Sequence, residues 1–431
     1  MAGQGWGNRF QGSPLRVEDH MKRTASASWR GGFKKGEGVS SSRSGVFADT
    51  PYRLPSCGEP RIPAFSGDGS IMTARSMLGA LIVSVIVFLL AGATGCTHTR
   101  PFTDAAGRPV PDSIAAMETW MVGNSPQSLW IRGLDVRQPA VILLHGGPGT
   151  SESGLFRHYD ADLERHFLMV YWEQRGAGRS YHSALPRDSM TIEQFERDLD
   201  EVVDRVRQRF GKDRVILLAH SWGTVLGTIY AYRHPEKVAA YIGIGQIADF
   251  AEGERLSYDW ALSEAVRRRH SRASADLDAM RPGPRSVDEE LRKGRWVEAF
   301  GGVFHRNLST GTLIRAALST DEVNLVDLWK FGRGNRFSLE NLRPQYSKVD
   351  LTRYRSFAVP VLFFLGRYDW QTPAVLAERY FETLTAPCKR LVWFERSAHN
   401  PPFEEPEAFV HAMATEVLPL ADGSKTCPRS S

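Results

Sequence analysis

The chain predicts an α/β class: a mostly parallel sheet covered by helices on both faces, interrupted by a mainly helical insertion. Three observations carry this. Short, wholly apolar runs such as Ala140–Leu144, Phe167–Tyr171, Val215–Ala219 and Val238–Ile244 mark strands buried on both faces. Helical stretches of period 3.6 alternate with them, as crossover connections between parallel strands require. From Gln246 to Arg355 that alternation stops and resumes only at Val359–Leu365. An insertion of that length between two core strands reads as a lid, since ordinary connections run to about 4–6 residues.

The chain has 431 residues and a formal net charge of +5. Residues 1–71 are rich in Gly, Ser, Arg and Pro without sustained apolar periodicity, a composition expected of a disordered leader. That leader holds 10 Lys and Arg against 6 Asp and Glu, so +4 of the +5 lies in it and the folded part is nearly neutral. The basic isoelectric point therefore gives nucleic-acid binding little support. Residues 72–96 follow as a signal or anchor segment. Arg75 precedes an almost uninterrupted apolar run from Leu78 to Ala93, too short for an ordinary span of about 20 residues but suited to the apolar core of a secretory signal. Small residues then lead to Cys96, as in a bacterial lipoprotein signal, which makes Cys96 a lipidation candidate. A signal starts near an N-terminus, so translation begins at Met72 or Met77, or the segment stays as an uncleaved anchor. Either way the expectation is an exported protein, periplasmic or membrane-attached through 78–93 or a lipid on Cys96. Cys57 lies in the leader, and Cys388 and Cys427 could pair in an exported chain or remain two separate thiols.

The folded part divides into a first core segment (97–245), the insertion (246–355), a second core segment (356–420) and a tail (421–431). Thr119–Val122 and Ser128–Arg132 read as antiparallel strands joined by the turn at residues 123–126. Ile192, Phe195, Leu199, Val202, Val203 and Val206 give one apolar face to a helix over 191–210. Helices over 373–384 and 406–418 flank a strand over 390–394. Trp260, Trp296, Phe300, Phe304, Trp329 and Phe331 punctuate the insertion; some are expected to line a pocket and the rest to form its core.

The chemistry centres on Val215-Ile-Leu-Leu-Ala219-His220-Ser221-Trp222-Gly223, with the helical pattern Val225, Leu226, Ile229, Tyr230 directly behind. Strand, sharp turn and helix with a serine at the apex and small residues two positions to either side form the nucleophile elbow of an α/β-hydrolase. Ala219 replaces the usual first glycine. A serine nucleophile needs a base to take its proton, and the base needs an acid to fix its tautomer. Asp369, just past the strand Val361–Leu365, and His399, just past the last strand, stand in the chain order Ser, Asp, His that this fold uses. Asp249 is the rival acid. The oxyanion would be held by the backbone of Trp222 and by the turn His145-Gly146-Gly147-Pro148-Gly149, with Gly147 the expected donor and Gly146 the alternative.

Taken together, His145–Gly149, then Glu173-Gln174-Arg175-Gly176-Ala177-Gly178-Arg179-Ser180, then His220-Ser221-Trp222-Gly223, then Gly366-Arg367-Tyr368-Asp369, resemble the proline iminopeptidase group of α/β-hydrolases over roughly residues 115–418. The resemblance implies the α/β-hydrolase fold with a cap, a Ser221–His399–Asp369 triad, and release of N-terminal proline, the free amine being held by acidic residues of the cap. The sequence does not single these out among Glu252, Glu254, Glu264, Glu298 and others. It departs from the group at Ala219 and at Glu173, where glycine and aspartate are usual. An esterase or amidase of small exported substrates is the second expectation, and a non-catalytic tethered binding protein the third. Serine at 221 disfavours epoxide hydrolases and dehalogenases, which place an aspartate there. No metal-ligand spacing and no glycine-rich dinucleotide motif suggest a cofactor, and the reaction needs none. The oligomeric state is not legible.

Overall fold

The computed structural model describes residues 97–427, apart from 281–285, 307, 422 and 425, together with three short strands nearer the N-terminus. Those strands, β1 (Ala25–Arg30), β2 (Glu37–Ser42) and β3 (Thr50–Arg53), pair antiparallel in the order β1-β2-β3. Composition led us to expect no regular structure within 1–71. The strands are mostly Ser, Thr, Ala and Gly with an isolated Trp, Val or Tyr, so no apolar alternation announces them. The rest of the leader, the apolar run 78–93 and Cys96 lie outside the described residues. Among the described residues no helix is long and apolar enough to cross a membrane.

The body is built on a second sheet. Its strands are β4 (Ile114–Val122), β5 (Ser125–Gly133), β6 (Ala140–Leu144), β7 (Leu168–Glu173), β8 (Val215–His220), β9 (Val238–Ile244), β10 (Val361–Gly366) and β11 (Lys389–Phe394). They lie in the order β11-β10-β9-β8-β6-β7-β5-β4; β4 pairs antiparallel with β5 and β5 with β7, and all other pairs are parallel. The β4–β5 hairpin turns on two residues, Gly123 and Asn124, both left-handed (φ 51° and 61°), which lets Ser125 and Pro126 join the strand. Every side chain of β6, β7, β8, β9 and β10 is buried, the pattern of a sheet covered on both faces.

In the first core segment the helices are α1 (Ser153–Tyr159), α2 (Ile192–Phe210) and α3 (Gly223–Arg233). Thr191 caps α2 by accepting from Gln194 N–H, and Gly211 ends it in the left-handed conformation. Phe195, Leu199, Val202, Val203 and Val206 are the buried stripe that the sequence pattern assigned to it. Helix α3, by contrast, is buried over most of its surface, as a helix leaving a central strand must be.

Between β9 and β10 stand five helices: α4 (Phe250–Arg267), α5 (Ser271–Asp278), α6 (Val287–Phe300), α7 (Thr310–Leu318) and α8 (Leu325–Tyr346). Ser286, Ser309 and Asn324 start α6, α7 and α8 with reciprocal capping boxes, so each short connection fixes the helix that follows. Tyr258, Ala261, Ala265, Ala273, Leu277, Met280, Val297 and Phe300 form a core of their own, separate from the two cores against the sheet. Trp260 and Trp296 pack against it. Helices α9 (Ala374–Thr383), α10 (Pro401–Glu404) and α11 (Pro406–Ala412) complete the second core segment. The predicted last helix changes character at Met413, continuing as one π turn and one 3-10 turn to Leu420. Beyond it, Cys427 is disulfide-bonded to Cys388, tying the tail to the residue before β11.

Candidate active site

Ser221 occupies the apex between β8 and α3 with φ 52°, a left-handed conformation uncommon for a residue with a side chain. Its N–H donates to Ile244 O (2.9 Å), and its carbonyl accepts from Thr224 N–H (2.9 Å) and the Thr224 hydroxyl (2.6 Å). The turn closes only because position 223 is glycine: a Cβ there would stand 1.9 Å from Leu144 O. The departure at Ala219 has a structural partner. Ala219 lies opposite Gly243 on β9 and faces Gly227 on α3, where a Cβ would stand 3.0 Å from the Ala219 methyl. Glycine on the helix makes the room that glycine on the strand usually leaves.

Asp369 and His399 come from loops after β10 and β11. His399 Nδ1 donates to Asp369 Oδ2 at 2.8 Å, and both residues are buried. The other carboxylate oxygen accepts from Gln371 N–H and Thr372 N–H, each at 2.9 Å, and Thr372 Oγ1 lies within hydrogen-bond distance of Asp369 Oδ2, His399 Nδ1 and Gly245 O. With Nδ1–H committed to the carboxylate, Nε2 is left as the basic nitrogen. The two loops pass each other at Gly366, where a Cβ would stand 1.8 Å from Ala398 O. Residues 301–305 of the insertion lock them: Trp370 N–H and Gln371 N–H donate to Gly302 O, and His399 N–H and Asn400 Nδ2 donate to Val303 O. Glu404 accepts from His305, Ala398 and Asn400 N–H, yet burial outweighs these donors and lifts its carboxyl to about 7. Asp249 is not a member of this group; it caps α4 by accepting from Glu252 N–H (2.9 Å).

The expected oxyanion turn is fastened from behind. His145 Nε2 accepts from Gln174 N–H (3.0 Å), so its proton sits on Nδ1 and donates to Gly146 O (2.9 Å). The Gln174 side chain donates to His145 O and accepts from the indole of Trp222, joining the turn to the residue after Ser221. Burial holds His145 below the usual imidazole range, as this neutral tautomer requires. Glu173 accepts from Ser151 Oγ (2.6 Å) and Arg179 N–H (2.9 Å); burial raises its carboxyl above the usual range against those two bonds. Beneath Ser221 lies a further buried pair. His220 Nε2 donates to His399 O (2.9 Å) while Nδ1 faces Glu152 Oε1 at 2.7 Å. Burial opposes charge on His220, but the Glu152 carboxylate outweighs it and raises the imidazole above its ordinary range.

Two spaces open beside the serine. A cavity of about 430 Å³ is lined by Gly146, Gly147, Ser221 and His399, and by a mostly apolar wall that includes Leu155, Phe304, Leu313, Leu328 and Phe331. A recess of about 60 Å³ is lined by Gly147, Ser221, Trp222, Asp249, Glu254 and Glu290. Gly147 thus borders both spaces, Gly146 only the larger. Of the insertion's aromatics, Phe304 and Phe331 face the cavity, while Trp260, Trp296 and Phe300 build the insertion's own core and Trp329 is exposed. Of the predicted cap acids only Glu254 reaches the recess; Glu252 and Glu264 pair with arginines on their own helix, and Glu298 lines the larger cavity. Sequence reasoning missed Glu290, which nothing but its place on α6 distinguishes. It also missed Thr372 and Gln174; Gln174 sat inside a motif already noted.

Ser221, Asp369 and His399 stand in the chain order and on the loops that acyl transfer through a serine uses, and His399 is hydrogen-bonded to Asp369. Comparison with known proteins agrees on family. The model of the alpha/beta hydrolase fold family matches residues 139–406. A Bacillus subtilis (strain 168) protein named probable aminopeptidase YbaC is 32% identical over 71% of this chain and 97% of its own length. A proline iminopeptidase of Heyndrickxia coagulans is 27% identical over 63% of this chain and 87% of its length. The crystal structure of a proline iminopeptidase from Mycobacterium smegmatis superposes with a TM-score of 0.54 at 18% identity, covering 71% of this chain and 99% of that one, and so supports the fold. The chain belongs to the α/β-hydrolase fold family.

Proposed function

We propose that this protein is a serine hydrolase working through an acyl-enzyme, an aminopeptidase that releases the N-terminal residue, with proline preferred, from peptides. Ser221 Oγ attacks the scissile carbonyl as His399 Nε2 takes its proton; Asp369 holds the imidazole and balances its charge. The N–H groups of Trp222 and Gly147 receive the oxyanion. His399 then passes the proton to the departing amine, and a water molecule, deprotonated by the same nitrogen, releases the acid. Because His399 borders the larger cavity, the leaving group occupies that side and the acyl residue the recess. The observation that carries the aminopeptidase reading is the pair of carboxylates in the recess, Glu254 and Glu290, placed to receive an N-terminal ammonium beside Ser221. The relatives named aminopeptidase and proline iminopeptidase support it.

An esterase or amidase indifferent to a free amine is the second reading, and one observation favours it. Lys293 is fully buried with Nζ 2.5 Å from Glu254 Oε1, and Arg343 Nε lies 3.4 Å from Glu290 Oε2, so the two carboxylates already face two cations. Wild type and Ser221→Ala, assayed on a proline arylamide, its N-acylated form and a short-chain nitrophenyl ester, separate the readings. Serine-dependent cleavage of the free-amine substrate alone supports the aminopeptidase. Cleavage of blocked amide and ester moves the substrate to the second reading. Equal rates for wild type and variant on every substrate would leave a non-catalytic binding protein.

A further inference from the structure

Three of the eight most exposed large apolar side chains among the described residues fall within five positions at the start of α8: Leu325 at 51%, Val326 at 39% and Trp329 at 61%. Exposed apolar residues scattered singly need no explanation; three on one face of one helical turn, with an indole at the centre, do. The other side of the same turns is occupied, Leu328 and Phe331 facing the cavity beside Ser221. Arg333 lies over the Trp329 ring, its guanidinium carbon 5.8 Å from the centroid, placing a cation at the edge of the patch.

The described body begins at this same place. Arg179 Nη2 donates to both Thr97 Oγ1 (2.8 Å) and Asp327 Oδ2 (2.6 Å), so the first described residue of the body and the first turn of α8 share one guanidinium. His98 N–H donates to Asp321 O, Thr99 Oγ1 donates to Glu322, and Arg100 pairs with Asp321, all just ahead of α8. The apolar run of residues 78–93 ends four residues before Thr97. Four residues reach at most about 14 Å. Whatever that run or a lipid on Cys96 enters is therefore held close to Leu325, Val326 and Trp329.

We propose that the first two turns of α8 rest on a lipid bilayer, with Leu325, Val326 and Trp329 entering the boundary between headgroups and acyl chains and Arg333 among anionic headgroups. Aromatic side chains with a polar edge and long cationic ones favour that depth. An apolar, cation-edged patch beside an attachment point adds buried apolar area and headgroup attraction to it. The inference goes beyond the hydrolytic reading and does not depend on it. Its consequence for the site is that α8 separates bilayer from cavity, so substrates and products pass at the membrane surface.

The test uses the full chain on phosphatidylcholine–phosphatidylglycerol vesicles whose acyl chains are brominated, a quencher confined to the hydrocarbon. Subtracting the emission of Trp329→Phe from that of wild type isolates the Trp329 signal among the 11 tryptophans. Brominated lipid should cut that signal at least two-fold relative to plain lipid. Leu325→Asp with Val326→Asp, two exposed changes that leave the thermal midpoint in place, should restore it. An unquenched Trp329 on vesicle-bound protein would overturn the proposal, as would absence of vesicle binding. So would a Trp329 signal already shielded without lipid in a dimer that the Asp variants dissociate, since a second copy would then own the patch.

Discussion

Gly223→Ala adds one methyl group and tests how tightly the elbow is clamped to the sheet. The new Cβ would lie 1.9 Å from Leu144 O, 2.6 Å from Leu144 C and 3.0 Å from His145 O. Even a weak C–H···O contact needs about 3.3 Å, so the overlap with Leu144 O is about 1.4 Å. The obstacle is backbone of β6, a central strand, and cannot rotate away; α3 and β6 must separate by about 1 Å. Overpacking costs about 1–3 kcal/mol, and a backbone clash belongs at the upper end. At about 2 °C per kcal/mol for a body of this size, the melting midpoint should fall by about 6 °C. The same shift carries Ser221 and the Trp222 N–H away from the turn at Gly147, a misplacement that costs roughly 100-fold in rate. Differential scanning calorimetry and ester hydrolysis on the same sample read both effects. Gly332→Ala is the control: a Cβ there meets nothing within 4 Å, and an exposed helix interior gains up to about 1 kcal/mol from alanine. If Gly223→Ala melts and turns over like wild type, the contact between elbow and β6 is not the one described.

Other perturbations separate positioning from chemistry. Thr372→Val removes the hydroxyl shared by Asp369, His399 and Gly245 while keeping volume; kcat should fall about ten-fold with KM unchanged and the thermal midpoint within about 2 °C. Lys293→Met removes the cation 2.5 Å from the Glu254 carboxylate and should destabilise by about 1–3 kcal/mol in urea unfolding, and adding Glu254→Gln should recover most of that. Glu404 titrates at about 7 in the folded state against about 4.5 when exposed, so the native state holds a proton that the unfolded chain has already lost between those values. Its contribution is complete below about pH 4.5 and is lost as pH rises through 7. Urea unfolding should therefore show about 2–3 kcal/mol less stability at pH 8 than at pH 5 from this group, and Glu404→Gln should flatten that window.

Much of the body was legible because the signals were local. Runs such as Ala140–Leu144 and Val215–Ala219 can only be strands buried on both faces, and Ser221 between Ala219 and Gly223 can only be a tight apex. Asp369 and His399 were readable from their places after β10 and β11, and the structure brings them to 2.8 Å. What stayed hidden depends on contacts distant in sequence. Gly227 explains the tolerance of Ala219, but the two meet only once α3 folds back on β8. Glu290 reaches the recess from α6, and no pattern within the insertion encodes which residue of that helix lies beside Ser221. The strands of residues 25–53 carry too little apolar alternation to be seen in sequence.

An activated Ser221 served by His399 and Asp369 must react where an ordinary serine does not. The direct measurement is intact-mass and peptide analysis after exposure to a fluorophosphonate, which a triad serine attacks and an ordinary serine does not. One adduct per chain is expected, located on Ser221, lost in Ser221→Ala and slowed by at least 100-fold in His399→Ala, with all three proteins folded. A folded wild type that takes no label, or takes it at another residue, would contradict it.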